Sequence, residues 1–300
     1  MRFSCTQENF HSALGLIGHI AARQGSLPIL SNVLLRAEEK SITLTATNLE
    51  LAMTFRVRGK VEEDGAMTVN AKLTTDVVGL LPKDRVDVQT SGSEIEIKCR
   101  GSSTKVRGMD AAEFPLIPEV KRGGEVLVEV TALRNALGRV SFAAASGESR
   151  PELSGVLFRL DGTTAVLAAT DSYRLAQHTL PLRANAAPKG TTIIVPNRTV
   201  QELLRALGQP EDDAPNEVTI IPTQNQLFVS LGNLGVTSRL IDGTYPDYTQ
   251  ILPRSWATRV CVSRAELQAT TRAASLFART GVNDIHLRVL PKEGQLIVRS

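Results

Sequence analysis

The 300-residue chain repeats itself. The stretch LPILSNVLLRAEEKSITLTATNLELA (27–52) aligns with RPELSGVLFRLDGTTAVLAATDSYRLA (150–176). Leu30, Ser31, Val33, Leu34 and Arg36 fall on Leu153, Ser154, Val156, Leu157 and Arg159 at a constant offset of 123, and Thr47 falls on Thr170 at the same spacing. Further on, VNAKLTTDVVGLL (69–81) matches VPNRTVQELLRAL (195–207) at 126, and Phe114–Pro115 matches Tyr245–Pro246 at 131. A slowly growing offset is what loop insertions produce, so one supersecondary unit has to be stable in tandem.

A third copy begins with VSRAELQATTRAASLFAR (262–279), which parallels VTALRNALGRVSFAAAS (130–146), and Leu287–Arg288 matches Phe158–Arg159 at 129. From its arginine to its closing proline the first copy runs 82 residues and the second 94, whereas 12 follow Arg288. The third copy is thus expected to be short by roughly 70 to 80 residues and unable to bury its own apolar face. The chain reads as a fragment of a longer protein. At this length and 42% hydrophobic content more than one core is expected. Turn formers and charge replace periodicity near 119–126 and 252–259, which sets the expected domains at 1–122, 123–254 and 255–300.

Within a copy the pattern is α+β. Helical spacing recurs, as in Leu133, Leu137, Val140 and Ala144, with Thr131 or Ser263 as the expected cap. Helices are predicted over 6–23, 72–81, 131–143, 197–207 and 263–279. Runs such as ITLTAT, EIEIKC, VTIIP and LFVSL alternate as strands with one covered face do. RANAAPKG (183–190) reads as an internal loop. Each copy is then two rounds of strand, helix and several strands.

Net charge is only +3, so distribution matters more than total. The predicted helices carry nine basic side chains: Arg23, Lys72, Arg134, Arg139, Arg198, Arg205, Arg264, Arg272 and Arg279. Four acids stand against them, Glu8, Asp76, Glu202 and Glu266, which leaves a surplus of +5 on helices. Arg264, Gln268, Arg272, Ser275 and Arg279 form one stripe. Such a stripe is either an ordinary solvated face or a set of phosphate contacts that read no bases. Aromatics are 4% and are not interleaved with the cations, which argues against a stacking platform for single strands.

Metal and catalytic signatures are weak. Cys5, Cys99 and Cys261 are far apart and expected to be reduced, and His11 and His19 are two turns apart on one helix, too far to share an ion. No metal and no cofactor is expected. No nucleophile elbow, phosphate loop or dinucleotide fingerprint is found. Asp171 is the best lone acid or base, and a hydrolase built around it is the rival reading. Its counterpart is Asn48, which cannot titrate, so a role in a strand-ending turn is the alternative. Asp242 and Asp247 sit in a turn-rich segment that suits metal chemistry poorly. Residues 1–25 are interrupted by Glu8, His11 and His19, so neither a signal peptide nor a spanning helix is expected, and a cytoplasmic location is.

Seven segments in order, LPILSNVLL, TATNLELA, AAEFPLIP, LSGVLF, ATDSYRLA, IIVPNRTVQELLRAL and LIDGTYPDYTQILP, together resemble the bacterial DNA polymerase III β subunit family, the sliding clamps. The resemblance implies a DNA clamp fold of repeated domains, each with two helices packed on antiparallel sheets. It also implies a head-to-tail homodimeric ring, when full length, that encircles double-stranded DNA and confers processivity without catalysis. Implied partners are the replicative polymerase α subunit, the clamp loader, and other polymerases and repair proteins carrying short peptide motifs; no membrane is involved. By the same resemblance Leu153, Thr170, Tyr173, Arg174, Leu175, Pro246, Gln250 and Ile251 form a peptide pocket. From the residues alone, Leu153, Leu175 and Ile251 read as core. The DNA contacts the resemblance implies are Arg23 and Gln24 in one loop and Ser149 and Arg150 in another; the charge distribution adds Lys72, Arg134, Arg198, Arg205, Arg272 and Arg279 on the helices. Two departures stand out: Ser172 occupies a position where the family commonly has Gly, and Gln250 one where some members have a basic residue.

Overall fold

The structure, a computed structural model, describes residues 1–21, 27–118, 123–147, 150–209, 215–278 and 284–300. In the first repeat, β1 (Arg2–Thr6) leads into α1 (Gln7–Ile17), followed by β2 (Asn32–Glu38), β3 (Ser41–Thr47), β4 (Leu51–Val57) and β5 (Gly59–Glu63). A second round runs β6 (Gly65–Asn70), α2 (Ala71–Gly79), β7 (Arg85–Ser91), β8 (Glu94–Cys99) and β9 (Ser102–Met109). The second repeat copies this order with β10 (Val126–Glu129), α3 (Val130–Val140), β11 (Gly155–Asp161), β12 (Thr164–Thr170), β13 (Leu175–Pro181) and β14 (Ala184–Asn185). It closes with β15 (Thr192–Pro196), α4 (Asn197–Ala206), β16 (Glu217–Pro222), β17 (Gln226–Leu231) and β18 (Leu234–Arg239). Then come α5 (Arg264–Ser275) and the hairpin β19 (His286–Leu290) and β20 (Gln295–Arg299).

The repeat reaches the packing. Phe10, Ala13, Leu14 and Ile17 form the buried stripe of α1, and Leu133, Ala136, Leu137 and Val140, each 123 residues on, form that of α3. Spacing of three and four residues puts such side chains on one face, and their burial against the sheets stabilises each helix by about 1.5–3 kcal/mol per large side chain. α1 packs on α2 and α3 on α4. Phe3 and Phe10 meet edge to face at 6.0 Å inside the first repeat.

The helices are shorter than periodicity alone predicts. α1 stops at Ile17 with Gly18 as its C-cap, and α5 stops at Ser275; Arg23 and Arg279 lie outside the described residues. Among the described residues the helices carry seven basic side chains against four acids, a surplus of +3. Ser263 caps α5 as expected, but α3 is capped by Glu129, whose carboxylate accepts from Thr131 and Ala132 N–H, and not by Thr131. Glu129 stands where Thr6 caps α1, and an anion there also meets the positive end of the helix. Part of RANAAPKG is not loop: Ala184 and Leu127 pair, as do Asn185 and Val126, because the edge of β10 is open to a short partner.

Two compact units emerge, Met1–Tyr245 and Pro246–Ser300. The first holds the first repeat and the second as far as Tyr245, because their sheets are fused. β18 runs antiparallel to β4, with Val236 opposite Met53 and Thr237 opposite Ala52, which makes one 14-stranded sheet beside the four-stranded sheet β13-β12-β11-β15. Its main core is a hydrophobic cluster that draws residues from both repeats, from Phe3 to Val236, and a smaller cluster of Ile29, Leu30, Leu34 and Phe114 lies in the first repeat. In the second unit α5 buries no residue, and Leu276, Phe277 and Leu287 are exposed. One helix and one hairpin offer too little surface to enclose a core.

Candidate peptide and nucleic-acid interfaces

The stretch ATDSYRLA is a tight turn between β12 and β13. Thr170 Oγ1 donates to Arg174 O at 2.7 Å and accepts from Ser172 N–H at 3.1 Å. Asp171 Oδ1 accepts from Tyr173 N–H at 3.0 Å and Arg174 N–H at 2.9 Å, and Oδ2 from Arg174 Nε at 3.0 Å. The first repeat builds the same turn: Thr47 Oγ1 bonds Leu51 O and Leu49 N–H, and Asn48 Oδ1 accepts from Glu50 and Leu51 N–H. Leu49 at φ 76° and Ser172 at φ 75° occupy the same left-handed position, which explains why glycine suits it. Burial pushes the Asp171 carboxyl up, but the Arg174 and Tyr173 N–H groups and the Arg174 charge outweigh it and hold it below the usual carboxylate range. With Oδ1 taken by two backbone N–H groups, Oδ2 by Arg174, and an amide twin in the first repeat, Asp171 fits a turn-forming residue.

The turn lifts two side chains into solvent. Tyr173 is 97% exposed, and the Arg174 guanidinium lies 5.7 Å from the centre of the half-exposed Phe142 ring. A cavity of about 480 Å³ opens beside them, lined by Phe142, Tyr173, Arg174, Asn197 and Gln201 among others. Phe142 was not picked out from the sequence, where VSFAAAS reads simply as the end of a helix. The available signal is an aromatic at 142, two residues past Val140, the last buried apolar residue of α3 itself. Leu175 is half-buried. Leu153, however, is only 2% exposed, so it offers no apolar wall to a ligand and the core reading holds for it.

Pro246, Gln250 and Ile251 belong to the second unit. Tyr248–Ile251 form a single 3₁₀ turn capped by Asp247, which accepts from Thr249 N–H at 3.1 Å and from Gln250 Nε2 at 2.9 Å. Ile251 is 73% exposed, an apolar group left in water.

The cations divide into two sets. Lys72, Arg134 and Arg198 are exposed on α2, α3 and α4, and Arg272 is exposed on α5. Arg205 is different. Its guanidinium bonds Glu202 at 2.8 Å and the carbonyl of Leu16 at the end of α1, and it is only 23% exposed. It is committed to the joint between the two repeats and is not a free phosphate ligand. Arg150 pairs with Glu152 at 3.1 Å. Arg23, Gln24, Ser149 and Arg279 lie outside the described residues.

The histidines also part company. His19 faces Glu202 at 3.6 Å, while His11 packs against Gly79. Among the described residues no cluster of three or more His, Cys, Asp or Glu side chains could hold a metal, and no helix is long and apolar enough to cross a membrane.

Known families can be set against this geometry. The pattern of the N-terminal domain of the DNA polymerase III beta subunit matches residues 1–118, and that of its central domain matches 127–247. The chain belongs to the DNA polymerase III beta subunit family. Members are sliding clamps, non-catalytic processivity factors, so the hydrolase reading centred on Asp171 falls away. The beta sliding clamp of Staphylococcus epidermidis is 26% identical over 294 residues, 95% of this chain and 76% of that protein. The DNA polymerase III subunit beta of Pseudomonas aeruginosa superposes with a TM-score of 0.90 at 29% identity, over 100% of this chain and 83% of the other. The clamp of Bartonella birtlesii bound to griselimycin gives 0.87 at 28% identity, over 97% of this chain and 78% of that one.

Proposed function

We propose that this clamp-family chain, assembled head to tail into a homodimeric ring, encircles double-stranded DNA and holds the replicative polymerase on it. The repeats 1–122, 123–254 and 255–300 serve as its successive domains, the last in part. The observation that carries the reading is the match of two consecutive clamp domains, in register with the internal repeat, on a chain whose positive surplus sits on its helices. Cations on helices with no base-reading motif suit a backbone contact that is sequence-independent and weakened by salt, which lets a ring slide. Lys72, Arg134, Arg198 and Arg272 are the proposed helix contacts, and Arg150, Ser149, Arg23, Gln24 and Arg279 are proposed as further DNA contacts. A tether acts by raising local concentration.

For recruitment, Thr170, Tyr173, Arg174, Leu175, Pro246, Gln250 and Ile251 are the proposed peptide contacts. The exposed Tyr173 and the Arg174–Phe142 pair supply a rigid aromatic body and a charge, the chemistry enriched where binding energy concentrates. Griselimycin-bound clamps among the similar structures support a ligand-taking site in this fold. The polymerase α subunit, the clamp loader, and other polymerases and repair proteins are the proposed partners, in the cytoplasm.

The test is topological. Protein placed on a nicked circular plasmid by a clamp loader is expected to survive gel filtration and to leave when the circle is cut. Equal retention on the linear product refutes the tether. Replacing Lys72, Arg134 and Arg198 by Glu is expected to lower the salt slope of simple DNA binding by about 2–3.

A further inference from the structure

We propose a second peptide-docking groove, at the seam between the first and second repeats, for an extended acidic segment carrying aliphatic side chains. The inference rests on the reading that the 170–175 turn of the second repeat takes peptides. Its counterpart at 47–52 reproduces the four bonds that the Thr and Asp/Asn side chains make to the turn backbone, without the Arg174–Asp171 side-chain pair. The segment matched to the proline-bearing stretch at Tyr245–Pro246 is Phe114–Pro115. Within the first unit these two counterparts come together. Leu49, Glu50 and Ala52 line one side of a cavity of about 210 Å³, and Pro115 to Pro118 line another. Thr237 and Arg239 of β18 form the third wall, placed there by the fusion of β18 to β4. The same Pro115–Pro118 segment borders a larger groove of about 1020 Å³ on the face of the fused sheet, beside Arg36, Arg56 and Phe228.

Chemistry selects the occupant. The two cavities are lined by three guanidinium groups, Arg36, Arg56 and Arg239, against one carboxylate, Glu50. Arg36 is paired with Glu38 at 3.1 Å, while Arg56 and Arg239 have no ion pair among the described residues. A net positive groove favours an acidic partner. Between the two cavities Leu116 stands 98% exposed, and Leu49 is 47% exposed at the mouth of the smaller one. These apolar groups gain from being covered by aliphatic side chains. An extended segment alternates its side chains, so it can present acids to the arginines and aliphatic groups to Leu49, Leu116 and Phe228.

A fluorescein-labelled octapeptide alternating Leu and Asp serves as the probe, with its Leu-Asn analogue as the uncharged control. Binding to the whole chain is read by anisotropy. Wild type is expected to bind the Leu-Asp probe about tenfold more tightly than the control, and the double variant Arg56→Glu, Arg239→Glu to lose at least that factor. Leu116→Asp is expected to weaken binding too, and Tyr173→Ala to leave it unchanged. All these positions are exposed, and thermal melts matching wild type verify that the variants fold. Binding lost in Tyr173→Ala but kept in the double arginine variant overturns the second groove and leaves the proposed 170–175 site standing. No binding to wild type also overturns it, while plasmid retention reports on the tether independently.

Discussion

Replacing Asp171 by Asn and, separately, by Ala distinguishes a turn-forming role from a charge-dependent one. Asp171 accepts two backbone N–H bonds, at 2.9 and 3.0 Å, plus the Arg174 side chain at 3.0 Å. Asn retains an oxygen for the backbone bonds, as Asn48 does in the first repeat at 3.1 and 2.8 Å. It gives up only the ion pair to an arginine that is 59% exposed, worth about 0.5 kcal/mol. Ala gives up everything. With each backbone bond worth about 1 kcal/mol and part of that recovered from water, Asp171→Ala is expected to cost about 1–2 kcal/mol. In a unit of this size that lowers Tm by roughly 2–8 °C. Thermal melts followed by circular dichroism provide the assay, with urea titration as a check. The sign with pH follows from the depressed carboxyl: its contribution is present above the unfolded-state value and is lost as pH falls through the folded one. The gap between wild type and Asp171→Asn should therefore shrink below about pH 4. An Asn variant as unstable as the Ala variant refutes the reasoning, because charge and not turn geometry would then hold the loop.

Three further outcomes are expected. Arg205→Ala should cost about 2–3 kcal/mol in urea denaturation, since it removes charge-assisted bonds to Glu202 and Leu16, and Arg205→Lys should not rescue it, lacking the planar fork. Gly155→Ala places a Cβ 2.7 Å from Val195 O and from Ile194 Cγ2 and should destabilise by about 1–3 kcal/mol, whereas Gly138→Ala, with only Leu204 nearby at 3.8 Å, should stabilise α3 by about 0.5–1 kcal/mol. With an aromatic disulfide reagent at pH 8, the exposed Cys261 should react at once. Cys5, whose thiol is pushed up to about 12 by burial and by Asp87, and the buried Cys99 should react only after unfolding.

The repeat, the α+β pattern and the strand runs were legible in the sequence because they rest on local chemistry. The 123-residue offset read from Leu30 and Thr47 is the offset that relates Phe10 to Leu133 and Asn48 to Asp171 in space. Alternation in EIEIKC gave β8 residue for residue. Helix ends were less legible, because apolar spacing continues past Gly18 while the backbone does not. The exposed cations on α2, α3 and α4 could be named from sequence. That Arg205 differs from them could not, because its partner Leu16 lies 189 residues away.

What the sequence by itself determined is the repeating unit: which residues make helices, which make strands, and which turn is built twice. Only the tertiary structure decided how those units join. The pairing of β18 with β4 uses backbone hydrogen bonds that no side-chain pattern announces, and it joins the two repeats in one sheet whose main core draws on both. The same pairing sets Arg239 opposite Pro115 to Pro118 and creates the groove at the seam. Local pattern reports what a segment can bury; which surface it is buried against is settled by long-range packing.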